Sequence, residues 1–244
     1  HNHQFVEIPF DINEFNNINS VNLDSIIKQD PSLTRNKKHA VQSLYPYNLY
    51  LVNNNGSRNF CIDYGKKNGY DWTFALDSNS YLTKEYFNQI QKSFNDNLEY
   101  LIIPQIRLKD GNLVNQDILD KGKLDKIDNL EIQEPQVAFN IKSKIKFNDK
   151  ISYGCSPKAE FLRVIKVPGK WNRWTDNFRY LNIKDREKKD VKYKILSKVI
   201  RLNPGEKNSD KINFNKRIIG LYNLVKKIKN ENHIIENFYG RHRV

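Results

Sequence analysis

The chain has 244 residues, 38% of them hydrophobic and 12% aromatic, which is enough to bury the core of one large domain. This composition excludes a small disulfide scaffold and a wholly disordered chain. The formal net charge is +13, from 41 Lys and Arg against 28 Asp and Glu. Such a charge favours anionic partners: phosphates, nucleic acid or acidic polymers.

The sequence has no apolar stretch near the roughly 20 residues that a membrane-spanning helix needs, so we expect a soluble domain with no membrane span. It contains no Met and begins at His1, from which we expect a fragment of a larger protein. Its two cysteines, Cys61 and Cys155, leave both a disulfide and free thiols open.

Residues 47–69 predict a strand followed by a short helix. The apolar residues 49–52 are compatible with a strand, and the Asn-rich turn at residues 53–56 ends it. Ser57 can then cap a helix that Gly65 and Gly69 terminate.

Residues 72–104 continue this alternation. Residues 72–76 are uncharged and rich in β-formers, which predicts a strand buried on both faces. Thr83 can cap a helix whose apolar residues recur at every fourth position as far as Phe94, and residues 100–103 predict the next strand. Alternating strands and helices predict an α/β fold with a mostly parallel, twisted sheet flanked by helices.

The second half of the chain is less regular. Residues 109–133 are polar and predict an exposed excursion, after which residues 137–140 return to the sheet. Pro157 suits the first turn of a helix that extends to about residue 166. An apolar stripe at helical spacing over residues 214–228 predicts a long packing helix.

These patterns give a simple domain organisation. We assign residues 1–180 to an α/β domain. Residues 181–244 form a C-terminal charged segment and packing helix that belong to the same domain. The charge run within residues 184–194 is typical of a solvated segment rather than of a site.

Asp77 follows the predicted buried strand at its carboxyl end, where open α/β sheets bind their ligands. Asn79 places a second oxygen ligand two residues away, and such a turn can hold a hard divalent cation against a diphosphate. The alternative is that Asp77 only caps the helix that begins near Leu82, as Asp and Asn often do. These residues alone favour the capping role.

The sequence around Asp77 changes this balance. Arg58 and Asn59 open a predicted helix, Gly65 ends it, and a hydrophobic strand then leads to Asp77 and Asn79. Over residues 57–97 this order and spacing resemble the central stretch of glycosyltransferases with the GT-A fold, in particular the family 2-like ones. The resemblance implies a Rossmann-related α/β domain that binds a nucleotide sugar.

The resemblance also implies roles for the matching residues. Asp77, with Asn79 as a weaker partner, would hold Mn²⁺ or Mg²⁺ against the diphosphate of a nucleotide sugar, with a UDP-sugar favoured. Arg58 and Asn59 would contact the nucleotide or its phosphates, for which a guanidinium fork is well suited. The acceptor would be a hydroxyl of a glycan or a protein. The chain departs from the family in its neutral Asn79 and in the short stretch before Arg58.

A second, weaker match runs from Phe147 through Tyr153 to Arg163. It is similar to the segment in which these transferases place an acidic catalytic base at the start of a helix. The resemblance gives that role to Glu160, which would take the proton of the acceptor hydroxyl. The alternative is an ordinary carboxylate that the helix dipole favours.

Three further residues are candidates for acceptor binding. Glu134 precedes a predicted strand and would line the cleft, although a solvated loop is the stronger interpretation. Trp171 and Trp174 can stack on the apolar faces of sugar rings, and buried packing is an equally good interpretation of both.

Three functions therefore compete. A metal-dependent glycosyltransferase is the first. The second is a transferase-like recognition domain without catalysis, which the neutral Asn79 favours. The third is a basic nucleic-acid-binding module, which rests on the net charge of +13 but has no aromatic RNA-binding signature and no zinc-finger spacing.

Overall fold

A computed structural model describes residues 7–18, 37–77, 79–95, 97–108, 131–155, 157–173, 181, 183–184, 186–196, 198–202 and 210–230. The helices are α1 (Ile12–Asn16), α2 (Lys37–Leu51), α3 (Asn54–Lys67), α4 (Lys84–Gln91), α5 (Pro157–Val164) and α6 (Asp210–Asn230), with a 3-10 turn at Lys170–Arg173. The strands are β1 (Trp72–Phe74), β2 (Ser80–Tyr81), β3 (Tyr100–Leu108), β4 (Glu131–Asn140), β5 (Tyr193–Ile195) and β6 (Val199–Leu202). None of the described helices has the length and apolar character to cross a membrane.

The strands form one mixed sheet in the order β1-β4-β3-β6-β2, and β5 also pairs with β3. β4 is antiparallel to both β1 and β3, and β2 is antiparallel to β6. β5 and β6 are parallel to β3. The predicted α/β class is confirmed, but the sheet is mixed rather than mostly parallel. β1 and β3 do run in the same direction, and the prediction failed because β4 inserts between them.

Helix α2 occupies the segment where we predicted a strand at residues 49–52, so that prediction is wrong. Val41, Leu44 and Tyr47 lie on one face of α2 and are buried against Leu221 and Val225 of α6. Residues 49–52 are rich in β-formers and favour a strand. The burial of Val41, Leu44 and Tyr47 at helical spacing outweighs that local preference. Helix α2 in the N-terminal part of the chain therefore packs against α6 in the C-terminal part.

The elements around Asp77 largely match the prediction. Helix α3 is confirmed, but Asn53 rather than Ser57 caps it, because Asn53 Oδ1 accepts the N–H of Gly56 at 2.7 Å. The helix also continues past Gly65 to Lys67, so the prediction that Gly65 ends it is wrong. β1 is confirmed as a strand, yet its residues are only partly buried, since β1 lies at one end of the sheet. Thr83 caps α4 as predicted, with its hydroxyl accepting the N–H of Tyr86.

The remaining predicted elements are also present. The strand at residues 137–140 is the end of β4, the helix at Pro157 is α5, and the long packing helix is α6. Most of the predicted excursion at residues 109–133 lies outside the described residues, and its last three residues begin β4.

The sheet is buried on both faces, as the alternation along β3 shows. Tyr100 and Ile102 pack with Phe161 of α5, whereas Leu101 and Ile103 pack with Ile90 of α4. The strands β5 and β6 come from the segment after residue 180 and pair with β3. This segment is therefore built into the same sheet.

Candidate functional site

Polar side chains from four parts of the chain meet beyond the carboxyl end of β1. Arg58 comes from the first turns of α3, Asp77 follows β1, Glu134 and Gln136 lie on β4, and Lys158 lies in the first turn of α5. We call these five residues the Asp77 cluster. Their direct contacts make this cluster the main candidate for a functional site.

Asp77 is bound on both carboxylate oxygens by positively charged groups. Arg58 Nη2 lies 2.7 Å from Asp77 Oδ1, and Lys158 Nζ lies 2.9 Å from Asp77 Oδ2. Gln136 Nε2 also donates to Oδ2, at 2.9 Å. Burial by itself would raise the pKa of Asp77, but the charges of Lys158 and Arg58 outweigh it and hold the pKa well below its ordinary value of 3.8. Asp77 is therefore ionised at neutral pH.

Lys158 is a buried ammonium group with only 2% of its side chain exposed. Its Nζ donates to Asp77 and, at 2.9 Å, to Gln136 Oε1. Burial lowers the pKa of Lys158 to about 8; the charge of Arg58 acts in the same direction, and Asp77 opposes it. Lys158 has no signal in the sequence beyond its place beside Pro157 at the start of a helix.

Arg58 is held in place by Asn55, a fully buried residue in the first turn of α3. Asn55 Oδ1 accepts from Arg58 Nη1 at 3.0 Å, while Asn55 Nδ2 donates to the carbonyls of Asn148 and Pro157. The Arg58 guanidinium also lies over the ring of Phe147, 5.6 Å from its centroid. These contacts fix the direction in which Arg58 reaches Asp77.

Glu134 lies at the edge of the cluster. Its Oε1 accepts the N–H of Lys158 at 3.1 Å, which satisfies a donor at the start of α5. Burial is the main cause that raises the pKa of Glu134, and the charge of Asp77 raises it further. The charges of Lys158 and Arg58 lower this pKa, but the net shift is upward. Glu134 is a partly buried carboxyl group at the start of α5, and its role in acceptor binding stays a prediction.

The network extends into the sheet beyond the cluster. Gln136 Nε2 donates to Gln105 Oε1 at 3.2 Å, and Gln105 Nε2 donates to Ser80 Oγ at 3.1 Å. Both glutamines are fully buried. Polar side chains at these sheet positions fix the amide of Gln136 between Asp77 and Lys158.

Asn59 points away from the Asp77 cluster. Its side-chain amide donates to the carbonyl of Phe147 at 2.9 Å and accepts the N–H of the same residue at 3.1 Å. This pair of bonds attaches α3 to the segment around Phe147. The geometry favours a structural role for Asn59 over the predicted contact with a nucleotide.

Glu160 is completely buried and paired with Arg186. Arg186 Nε donates to Oε1 at 2.7 Å, and Arg186 Nη2 donates to Oε2 at 2.8 Å. A third donor of Arg186, Nη1, bonds to the carbonyl of Lys146. Both carboxylate oxygens are thus held in a bidentate ion pair, which suits a structural carboxylate better than the predicted catalytic base.

The metal role that the resemblance implies does not fit this arrangement. A divalent cation at Asp77 would lie beside the two positive groups that already bind both carboxylate oxygens, and the neutral Asn79 offers no compensating charge. In the described part of the chain, no group of three or more His, Cys, Asp or Glu residues is placed to hold a metal.

The two tryptophans have different outcomes. Trp171 is buried in the core beside α5, and its Nε1 donates to the carbonyl of Val167 at 2.9 Å. Packing is therefore the better interpretation of Trp171. Trp174 lies outside the described residues.

A groove of about 670 Å³ lies beside the cluster, along a neighbouring face of α3. Asn59 and Asp63 of α3 line it, together with Lys146 and Arg186. Asp77 is not among its lining residues. The charged residues that line the groove are largely paired, since Lys146 binds Asp63 and Arg186 binds Glu160.

Comparisons with protein-family models, with curated proteins and with solved structures found no match to this chain. The resemblance to glycosyltransferases therefore rests on the residues and spacing described above.

Proposed function

We propose that the chain is a divergent glycosyltransferase that moves a sugar from a nucleotide diphosphate sugar, with a UDP-sugar favoured, to a hydroxyl of a glycan or protein acceptor. The observation that carries the proposal is the contact between Arg58 and Asp77. These residues are 19 positions apart and belong to the two parts of the motif that resembles the GT-A family, and they meet at 2.7 Å.

The position and charge of the cluster support this proposal. Asp77 follows the carboxyl end of β1, the end of a strand at which α/β proteins bind ligands. Shifted pKa values in one cluster of partly and fully buried charged groups are typical of functional sites. The mixed sheet flanked by helices is compatible with a general α/β fold.

The reaction breaks the bond between the anomeric carbon and the phosphate oxygen of the donor. The acceptor oxygen forms the new bond to that carbon, its proton passes to a base, and the nucleoside diphosphate leaves with the electron pair. In this scheme Arg58 stabilises the charge that develops on the leaving diphosphate. Because Glu160 is held by Arg186, we give the role of base to Glu134, the other carboxyl group of the Asp77 cluster.

Release of nucleoside diphosphate from a panel of nucleotide sugars tests the proposal. We expect the unmodified protein to release it from at least one donor, and Arg58→Gln to lower that rate about tenfold or more because a charge-assisted contact is lost. Arg217→Gln is the control, because Arg217 belongs to α6, lies over the ring of Tyr153 and is outside the cluster. If every donor stays intact, or if both variants lose the same activity, the proposal is wrong.

A transferase-like recognition domain without catalysis is the second candidate. It is favoured by the saturation of the predicted metal ligand Asp77 and of the predicted base Glu160, because each binds basic groups through both carboxylate oxygens. This candidate predicts that a nucleotide sugar binds and is not cleaved. Calorimetric titration with a UDP-sugar, followed by assay of free UDP in the same sample, separates the two functions.

A further inference from the structure

The basic groups of the Asp77 cluster occupy the place where the family resemblance puts a metal ion. Lys158 Nζ lies 2.9 Å from Asp77 Oδ2, and Arg58 Nη2 lies 2.7 Å from Oδ1. Both distances are typical of charge-assisted hydrogen bonds. The carboxylate that would hold a cation thus already holds two, and both belong to the chain itself.

The charges of the cluster favour an anionic ligand. Two cations, Arg58 and Lys158, bind the single carboxylate of Asp77, and Glu134 accepts the backbone N–H of Lys158. In a site largely removed from water this excess attracts an anion and repels a metal ion.

The hydrogen-bonding capacity of the cluster points the same way. An ammonium group has three N–H donors and a guanidinium has five. Within the described residues, Lys158 Nζ donates to Asp77 and Gln136, and Arg58 donates to Asn55 and Asp77. Among the residues that the structure describes, one donor of Lys158 and three of Arg58 therefore remain for the oxygens of a ligand.

Access to the cluster is from the side of Asp77 and Arg58. Their side chains are 22% and 12% exposed, and the buried Lys158 lies behind them. A phosphate oxygen carries the same kind of charge and accepts the same donors as a carboxylate oxygen. It can therefore replace Asp77 at Arg58 without leaving a buried cation unpaired.

We propose that Arg58 and Lys158 bind the diphosphate of the ligand directly, so that the site works without a divalent cation. This inference rests on the proposed function, because it concerns the same ligand at the same site. It assigns Lys158 as a binding residue and replaces the Mn²⁺ or Mg²⁺ that the family resemblance implies.

Calorimetric titration with inorganic pyrophosphate and with UDP tests the inference. Each titration is done once in a buffer with EDTA and once in a buffer with Mn²⁺, at equal concentration in cell and syringe. We expect the same affinity in both buffers. In EDTA, Lys158→Met should weaken binding about tenfold or more, since one charge-assisted contact is lost. Lys166→Met is the matched control, because Lys166 follows the same helix and forms an exposed pair with Asp190.

The spin-resonance signal of Mn²⁺ alone gives an independent measure. We expect the protein to leave the spectrum of free Mn²⁺ unchanged. Loss of that signal with unmodified protein, or binding of pyrophosphate only in the presence of Mn²⁺, would overturn the inference. So would the absence of pyrophosphate binding in both buffers. These measurements use unmodified protein, and they decide the question even if Lys158→Met does not fold.

The two proposals fail in different ways. Turnover of a nucleotide sugar that requires Mn²⁺ would overturn metal-free binding and support the glycosyltransferase. Metal-free binding of pyrophosphate, with no turnover of any nucleotide sugar, would support the inference and remove the glycosyltransferase.

Discussion

At the scale of single residues, the buried Lys158 makes Asp77 important for stability. Asp77→Asn would leave the ammonium group of Lys158 in the interior without its counter-ion. We expect the free energy of unfolding to fall by about 3 kcal/mol, as is typical when one partner of a buried ion pair is removed. Urea denaturation measures this change.

Asp63→Asn is the matched control for Asp77→Asn. Asp63 pairs with Lys146 at the surface, and its side chain is 56% exposed. We expect a loss below about 1 kcal/mol, because solvent screens such pairs. Equal losses in the two variants would show that the Asp77 pair is no stronger than a surface pair.

The low pKa of Asp77 predicts how stability depends on pH. Its pKa is lower in the folded chain than its ordinary value of 3.8, so the unfolded chain binds the proton more readily. The stabilisation is therefore present above pH 3.8 and is lost as the pH falls below it. We expect the difference in unfolding free energy between unmodified protein and Asp77→Asn to shrink on acidification. A difference that stays constant as the pH falls through this range would contradict the shifted pKa.

Sequence reasoning found only part of the residues in this cluster. Arg58 and Asp77 are recognisable because they lie in one local motif with a strand between them. Lys158 and Gln136 come from later segments, and only the pairing of β4 with β1 and the position of α5 bring them to Asp77. A single sequence contains no local signal for such contacts.

At the scale of secondary-structure elements, Gly65 sets the distance between α3 and β1. A Cβ atom at Gly65 would lie 2.0 Å from Thr73 Oγ1, which is far inside contact distance. We expect Gly65→Ala to lower the free energy of unfolding by about 1–3 kcal/mol despite the higher helix propensity of Ala. Thermal and urea denaturation measure the change.

Gly220 provides the control for Gly65. It lies inside α6, and a Cβ atom there meets no described atom within 4 Å. Gly220→Ala should therefore raise the free energy of unfolding by about 0.5–1 kcal/mol. Combining Gly65→Ala with Thr73→Ala should cost less than the sum of the two single changes. Full additivity would mean that the two residues do not collide.

The ion pair between Glu160 and Arg186 joins α5 to the segment that precedes β5. We expect Glu160→Gln and Arg186→Met each to lower the free energy of unfolding by about 2–4 kcal/mol. The double variant should lose at least about 1 kcal/mol less than the sum, because the two changes remove the same interaction. A double-mutant cycle in urea measures this coupling. If Glu160→Gln loses turnover and keeps full stability, Glu160 is a catalytic base instead.

At the scale of the whole molecule, the sequence predicted most elements but not their arrangement. Hydrophobic periodicity identifies α3, α4, α5 and α6, because each buries one face at helical spacing. It does not reveal that β4 lies between β1 and β3, since strand order depends on pairing between distant segments. The same limit explains the strand wrongly predicted at residues 49–52, where packing of α2 against α6 decides the outcome.

The most direct test of the account is a crystal structure of the protein grown with UDP and EDTA. We predict that diphosphate oxygens lie within hydrogen-bond distance of both Arg58 and Lys158. UDP bound elsewhere on the molecule, with the Arg58 and Asp77 pair unchanged, would contradict the assignment of this cluster as the ligand site.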